Sequence, residues 1–177
     1  MKRKSGALAA IGVAAVMLLG LSTVLAPVAQ RNVEAERSGM MALLLPGSTS
    51  FTLEAYSGED ASITGVYKGE SGYVVETATD GYVGAVTLLV GVSNDGEVTG
   101  VVVRDMEETY GLGANALGDV DFLSQFLGTS GDAAVGENVD AMTGATVTSK
   151  AIARGVNAGV GFVTGADVSS GATEWGG

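Results

Sequence analysis

Residues 85–104, AVTLLVGVSNDGEVTGVVVR, decide the fold. An apolar run from Ala85 to Val92 is followed by Asn94-Asp95-Gly96, and the chain then returns through a second apolar stretch from Glu97 to Arg104. Asn-Asp-Gly favours a tight hairpin turn because these residues tolerate a positive φ angle. The first run is the most apolar one after the N-terminal segment, which is typical of a central strand. The stretch therefore predicts a β-hairpin in the middle of an antiparallel sheet.

Shorter strands are predicted before this hairpin. Alternating or β-branched residues, separated by Gly, Ser and acidic turn residues, occur at Phe51–Tyr56, Ile63–Tyr67 and Tyr73–Thr79. Residues 30–45 have a helical pattern that Pro46-Gly47 ends, and we expect its Met/Leu end to pack on the domain.

Helices are predicted after the hairpin. Residues 119–127 form a short amphipathic pattern that Gly128 ends, and a loop over residues 129–139 follows. The stretch Asp140–Ser149, DAMTGATVTS, leads into apolar residues at helical spacing from Lys150 to Val163. The fold class is thus α+β, with a mostly antiparallel sheet and packed helices.

The N-terminus has the pattern of a membrane anchor. Lys2, Arg3 and Lys4 precede a stretch without charge, whose apolar part from Ala7 to Val28 exceeds the roughly 20 residues that cross a bilayer. We expect a retained transmembrane helix with a cytoplasmic N-terminus and the domain outside. A cleaved signal peptide is the alternative, since small residues lie near Ala26 and Ala29. The predicted segments are an anchor over 1–29, a juxtamembrane helix over 30–47, a domain over 48–165 and a flexible tail over 166–177.

The composition excludes several classes of function. A formal net charge of −11 argues against nucleic-acid binding, because few cations are available to neutralise phosphates. The chain has no Cys, which excludes disulfides and iron–sulfur ligation by thiolates. It also has no His, the commonest general base and transition-metal ligand.

Two interpretations of residues 143–149 follow from local chemistry. A Thr or Ser hydroxyl at a helix N-terminus commonly caps the free backbone N–H groups of the first turn. The same N–H groups and the positive end of the helix dipole also suit a phosphate. Neither a P-loop nor a Gly-x-Gly-x-x-Gly motif is present, so a dissociable nucleotide is not predicted.

Two motifs resemble those of the FMN-binding domain family, which occurs in the G subunit of Rnf electron-transport complexes and in the C subunit of the sodium-pumping NADH:quinone oxidoreductase. Asp140-x-x-Thr143-Gly144-Ala145-Thr146 resembles the family's Asp-x-x-Ser/Thr-Gly-Ala-Thr flavinylation motif. Glu108-Thr109-Tyr110-Gly111-Leu112-Gly113 resembles its Glu-Thr-Pro-Gly-Leu-Gly loop, with Tyr110 in place of Pro. The order of anchor, helix, hairpin and loop also resembles that of the Rnf G subunit.

This resemblance implies a specific site. A flavin transferase would join FMN through its phosphate to the hydroxyl of Thr146 and would recognise Asp140. Thr143, Gly144 and Ala145 would form the turn at the attachment point. The loop would lie along the isoalloxazine through its backbone and side chains at Glu108, Thr109, Gly111, Leu112 and Gly113.

The function implied is that of a membrane-anchored electron-transfer subunit with covalent FMN, working with other membrane subunits of an Rnf-type complex rather than as a self-contained enzyme. No metal is expected. A stand-alone extracytoplasmic flavinylated carrier is one alternative. An acidic surface domain without a cofactor, its Thr cluster acting as a helix cap, is another.

Overall fold

The computed structural model of the chain describes residues 35–106 and 118–165. Helix α1 covers residues 35–44 of the described part. Five strands follow: β1 (Thr52–Glu54), β2 (Ile63–Lys68), β3 (Gly72–Asp80), β4 (Ala85–Ser93) and β5 (Val98–Met106). Two helices come next, α2 (Val120–Ser124) and α3 (Thr146–Thr164). The chain divides between residues 39 and 40, and the sheet, α2 and α3 all lie after this division.

The strands form one antiparallel sheet in the order β1-β2-β3-β4-β5. The predicted hairpin is confirmed: Leu89 pairs with Val102, and Gly96 adopts a φ of 83° in the turn between β4 and β5. Strands β2 and β3 also lie within a residue or two of their predicted positions, whereas β1 is shorter than predicted. The predicted α+β class with an antiparallel sheet is therefore confirmed.

Helix α3 packs on one face of the sheet through its small residues. A Cβ atom at Gly155 would lie 2.7 Å from Leu88 Cδ1 and 2.8 Å from Thr77 Oγ1, so the helix backbone approaches the strands closely. Ile152, Val156 and Val160 are fully buried in this layer. Burial of such side chains is the main stabilising term, about 1.5–3 kcal/mol each.

The end of α1 covers the other face of the sheet. Met41, Leu44 and Leu45 are buried in a cluster with Val74 and Leu89. This confirms the expected packing of the Met/Leu end on the domain and places the central strands between two helical layers.

The ends of two predicted helices differ from the structure. Helix α3 begins at Thr146, four residues before the apolar periodicity at Lys150, and ends at Thr164, where Gly165 is the C-cap with a φ of 68°. Helix α2 ends at Ser124, and residues 125–128 continue as turns. Polar residues start α3 because an N-terminal turn does not need an apolar face.

The described helices include none that is both long and apolar enough to cross a membrane. The predicted anchor, Ala7–Val28, and the predicted tail after residue 165 lie outside the described residues.

Candidate functional site

Thr146 is the first residue of α3, and its side chain is exposed. The residue before the helix is Ala145, and no side chain of the described residues caps the helix N-terminus. The first backbone N–H groups of an α-helix have no acceptor within the helix. The start of α3 therefore offers uncapped N–H donors beside an exposed hydroxyl, and the helix-cap interpretation of the Thr cluster finds no support among the described residues.

The turn before Thr146 is held firmly. Ala145 donates its N–H to the Met142 carbonyl at 3.0 Å, and Gly144 between them has a φ of 74°, as in a type II turn. Ser149 Oγ donates to the Ala145 carbonyl at 2.9 Å and accepts from the Met142 N–H at 3.1 Å. Ser149 is fully buried, so this hydroxyl acts as an internal tie.

Buried and exposed residues alternate sharply in this turn. Met142 and Ala145 are buried in the hydrophobic cluster between α3 and the sheet, which we call the α3 core. Thr143, Gly144 and Thr146 are exposed. The turn is thus anchored by its apolar side chains and presents its polar ones. Asp140, at the beginning of the motif, is exposed as well.

The start of α3 lies at the edge of the sheet where β3 ends. Thr79 Oγ1 donates to the Ala151 carbonyl at 2.8 Å, and an Arg154 guanidinium N–H donates to the Asp80 carbonyl at 2.7 Å. Gly155 and Gly159 lie successively further back along β3, against Thr77 and Val75, so helix and strand run in opposite directions.

The same edge carries two further features. The turn between β3 and β4, closed by a hydrogen bond from Gly81 N–H to the Gly84 carbonyl, exposes Tyr82 by 72% and Val83 by 63%. Met106, the last residue of β5, pairs with Val86 beside this turn. The chain therefore enters residues 107–117 from the edge at which α3 begins.

The predicted loop residues lie within 107–117. Glu108, Thr109, Gly111, Leu112 and Gly113, and Tyr110 among them, are outside the described residues. Of the predicted site, the structure thus brings together Asp140, Thr143, Gly144, Ala145 and Thr146.

A phosphate monoester fits the start of α3. The uncapped N–H groups and the positive end of the helix dipole favour an anion, and the helix has no acidic residue in its first turn. Lys150, one helical turn after Thr146, is exposed and adds positive charge on the same side. The described residues include no group of carboxylates that could hold a metal ion.

Two residues of the site surroundings escape sequence reasoning. Ser149 is the one hydroxyl residue at the start of α3 that bonds to the described backbone of the turn, and the sequence does not distinguish it from its neighbours. Gln125, in the segment after α2, bonds to the backbone of Asp140. The partner of Gln125 is 15 residues away and has no local signal, whereas Ser149 bonds to residues four and seven positions before it because of where the helix begins.

A family model matches the part of the chain that contains this site. Residues 81–161 match the family described as FMN-binding domain, a range that includes β4, β5, α2 and Thr146. The resemblance to this family is thereby confirmed.

Named relatives match between 52% and 62% of the chain. It is 44% identical over 99 residues to the G subunit of the proton-translocating ferredoxin:NAD(+) oxidoreductase complex of Clostridium ljungdahlii, covering 52% of this chain and 53% of the relative. It is 43% identical over 108 residues to the G subunit of the Na(+)-translocating complex of Acetobacterium woodii, covering 52% and 51%. The G subunit of an ion-translocating oxidoreductase complex of Methanosarcina acetivorans is 36% identical over 114 residues, covering 62% and 57%. The chain spans about half the length of the curated relatives it matches.

Proposed function

We propose that this protein is a membrane-anchored electron-transfer subunit that carries FMN joined to Thr146 by a phosphoester bond. The family match supports the cofactor, and the exposed Thr146 hydroxyl at an uncapped helix N-terminus supports the attachment point. The second of these observations carries the proposal, because a covalent phosphate site needs an accessible hydroxyl and N–H donors that no described side chain caps.

Attachment needs a hydroxyl nucleophile and a phosphoryl donor. Thr146 Oγ forms the new phosphorus–oxygen bond to the FMN phosphorus of flavin adenine dinucleotide, the pyrophosphate bond breaks, and AMP leaves. The hydroxyl proton passes to the flavin transferase or to solvent. The first N–H groups of α3 would hold the attached phosphate, and the helix dipole would stabilise its charge by about 0.3–1 kcal/mol.

The protein's own residues set how the flavin is held. FMN supplies the redox chemistry, and the protein controls its orientation and its exposure to partners. Thr143, Gly144 and Ala145 shape the attachment turn, and Asp140 is the point that the transferase recognises. Glu108, Thr109, Gly111, Leu112 and Gly113 would hold the ring, with close backbone contact at the glycines, an apolar wall from Leu112 and a hydrogen bond from Thr109.

The proposed setting is the membrane. The relatives are named as subunits of ion-translocating complexes. We propose that residues 1–29 anchor this chain with its N-terminus in the cytoplasm, that residues 30–47 lead from the membrane, and that residues 48–165 form the flavin domain outside, followed by a flexible tail over 166–177. Its partners are then membrane redox subunits of an Rnf-type complex, and it is not a self-contained enzyme.

The attachment is tested by coexpression with a flavin transferase. After denaturing electrophoresis we expect flavin fluorescence on the wild-type band and on Thr146→Ser, which keeps a hydroxyl, but none on Thr146→Val. Thr64→Val, which removes an exposed hydroxyl on β2, is the matched control and stays fluorescent. A fluorescent Thr146→Val band would place the attachment elsewhere, and a wild-type band without flavin would remove the proposal.

The assembly is tested by mild solubilisation of native membranes. Copurification of integral-membrane redox subunits with this chain supports a complex. Recovery of the flavinylated chain alone, with no copurifying subunit under several detergents, would instead support the stand-alone extracytoplasmic carrier.

A further inference from the structure

The Gln125 side chain is paired with the backbone of Asp140. Asp140 N–H donates to Gln125 Oε1 at 2.7 Å, and Gln125 Nε2 donates to the Asp140 carbonyl at 3.4 Å. The Gln125 amide thus pairs with both the N–H and the carbonyl of Asp140, as the backbone of a neighbouring strand would. The Asp140 carboxylate, by contrast, belongs to an exposed residue.

Gln125 is itself held in place by buried neighbours. Phe122 and Phe126 lie in the α3 core with their rings 5.3 Å apart and nearly perpendicular. Asp119 caps α2 by accepting the Phe122 N–H at 2.9 Å, and Gly128 N–H donates to the Val98 carbonyl of β5 at 2.9 Å. These contacts fix the backbone that carries the Gln125 side chain.

The rest of the segment before α3 is held in the same manner. Asn157 of α3, itself buried, accepts the Ala133 N–H at 3.1 Å and donates to the Ala133 carbonyl at 2.9 Å. Asn138 accepts the Ala134 N–H at 2.8 Å, and Ser149 ties Met142 to Ala145. A segment without regular strands is thus fixed at successive points up to the attachment turn.

We propose that Gln125 is a positioning residue for flavin attachment, which holds the Asp140 backbone so that its carboxylate and the Thr146 hydroxyl meet the flavin transferase in one fixed arrangement. The inference rests on the proposed function. It adds a determinant of transferase recognition that lies outside the motif and 15 residues before Asp140 in the chain. Gln125 acts through Asp140 and does not touch the reacting atoms.

The first test removes the amide. In Gln125→Met, which keeps the side-chain length, we expect faster hydrogen exchange at the Asp140 amide of the unmodified protein, because that N–H loses its acceptor. With flavin adenine dinucleotide saturating and the protein varied as substrate, we expect kcat/KM of transfer to fall about three- to tenfold, the value of one hydrogen bond. The loss should lie mainly in KM. Ser124→Ala, an exposed change at the preceding residue and the last one of α2, is the control and should match wild type.

The second test asks whether Gln125 acts through Asp140. In an Asp140→Ala background the carboxylate is absent, so adding Gln125→Met should change KM no further. Gln125→Glu retains an acceptor for the Asp140 N–H and should restore its protection from exchange and part of the kcat/KM.

Several outcomes would overturn the inference. One is that Gln125→Met loses hydrogen-exchange protection at the Asp140 amide while kcat/KM of flavin transfer stays unchanged. Another is that the effects of Gln125→Met and Asp140→Ala on kcat/KM simply add. A third is that Gln125→Met lowers only kcat and also lowers the Tm of the protein. These outcomes leave wild-type flavin attachment intact. Absence of flavin from the wild-type protein would contradict the proposed function instead, so the two failures are distinguishable.

Discussion

Two threonines of β3 that lie against α3 differ in one hydrogen bond. Thr79 Oγ1 donates to the Ala151 carbonyl at 2.8 Å. Thr77 Oγ1, fully buried against the position of Gly155, has no hydrogen-bond partner among the described residues. A buried hydroxyl without a partner loses its hydration without compensation, at a cost of about 1–3 kcal/mol.

The pair Thr77→Val and Thr79→Val gives opposite expected results. Valine has nearly the shape of threonine, so Thr77→Val should raise the free energy of unfolding by about 1 kcal/mol, and Thr79→Val should lower it by about 1 kcal/mol. Urea unfolding followed by circular dichroism measures both. A destabilised Thr77→Val would show that this hydroxyl is satisfied after all.

The sequence alone does not predict which of the hydroxyl side chains at the start of α3 are exposed and which are buried. Thr146, Thr148 and Ser149 form one polar cluster in the sequence, yet Thr146 is exposed while the other two are buried. Each residue turns the side chain by about 100° around the helix, so the start of the helix decides which hydroxyl faces solvent. Resemblance to the motif predicts Thr146 as the attachment residue, whereas no motif predicts that Ser149 bonds to Met142 and Ala145.

At the scale of elements, Glu70 links the segment after α1 to the turn between β2 and β3. Its carboxylate accepts from the Thr49 N–H at 3.1 Å and from the Ser50 hydroxyl at 3.0 Å. Ser48 Oγ and Ser71 Oγ, 2.8 Å apart, add a second link between the same two segments. The pKa of Glu70 is lowered from 4.5 to about 2, chiefly by a hydrogen bond from its own backbone N–H, with the Ser50 and Thr49 donors adding to it.

This shift predicts an acid-sensitive link. A carboxyl with a lowered pKa in the folded state contributes stability above its unfolded value, and the contribution is lost as pH falls. The link should therefore be fully present above about pH 4.5 and weaken toward pH 2. Glu70→Gln should flatten that part of the stability–pH curve, measured by denaturant midpoints, whereas the exposed Glu59→Gln should leave its slope unchanged. Equal curves for wild type and Glu70→Gln would contradict the link.

The elements themselves were largely predictable, but their packing partners were not. Alternation and the Asn-Asp-Gly turn predicted β4 and β5 because both signals are local. The role of Gly91 is different: a Cβ there would meet the Leu44 backbone carbonyl, whose oxygen accepts from Thr99 Oγ1 at 2.6 Å. No local sequence pattern predicts that Gly91 leaves room for the end of α1, since the two are far apart in the chain.

At the scale of the whole molecule, the buried clusters formed by the described residues lie within residues 40–165. All three contain only residues of this range, with α3 on one face of the sheet and residues 41–45 on the other. The described part of the site lies on this body through α3, and it is separate in the sequence from the apolar N-terminal segment.

This separation predicts the behaviour of a shortened protein. A variant that begins at residue 35 should fold, remain in the soluble fraction and accept flavin on Thr146, because both the core and the site are retained. The full chain should fractionate with membranes, since Ala7–Val28 is apolar and longer than the about 20 residues that a helix needs to cross a bilayer. Full-length Thr146→Val is the control, and it should fractionate with membranes without flavin because the anchor and the cofactor act independently. A soluble full chain would contradict the retained anchor, whereas a shortened protein that folds but takes no flavin would show that the transferase needs the membrane-proximal segment.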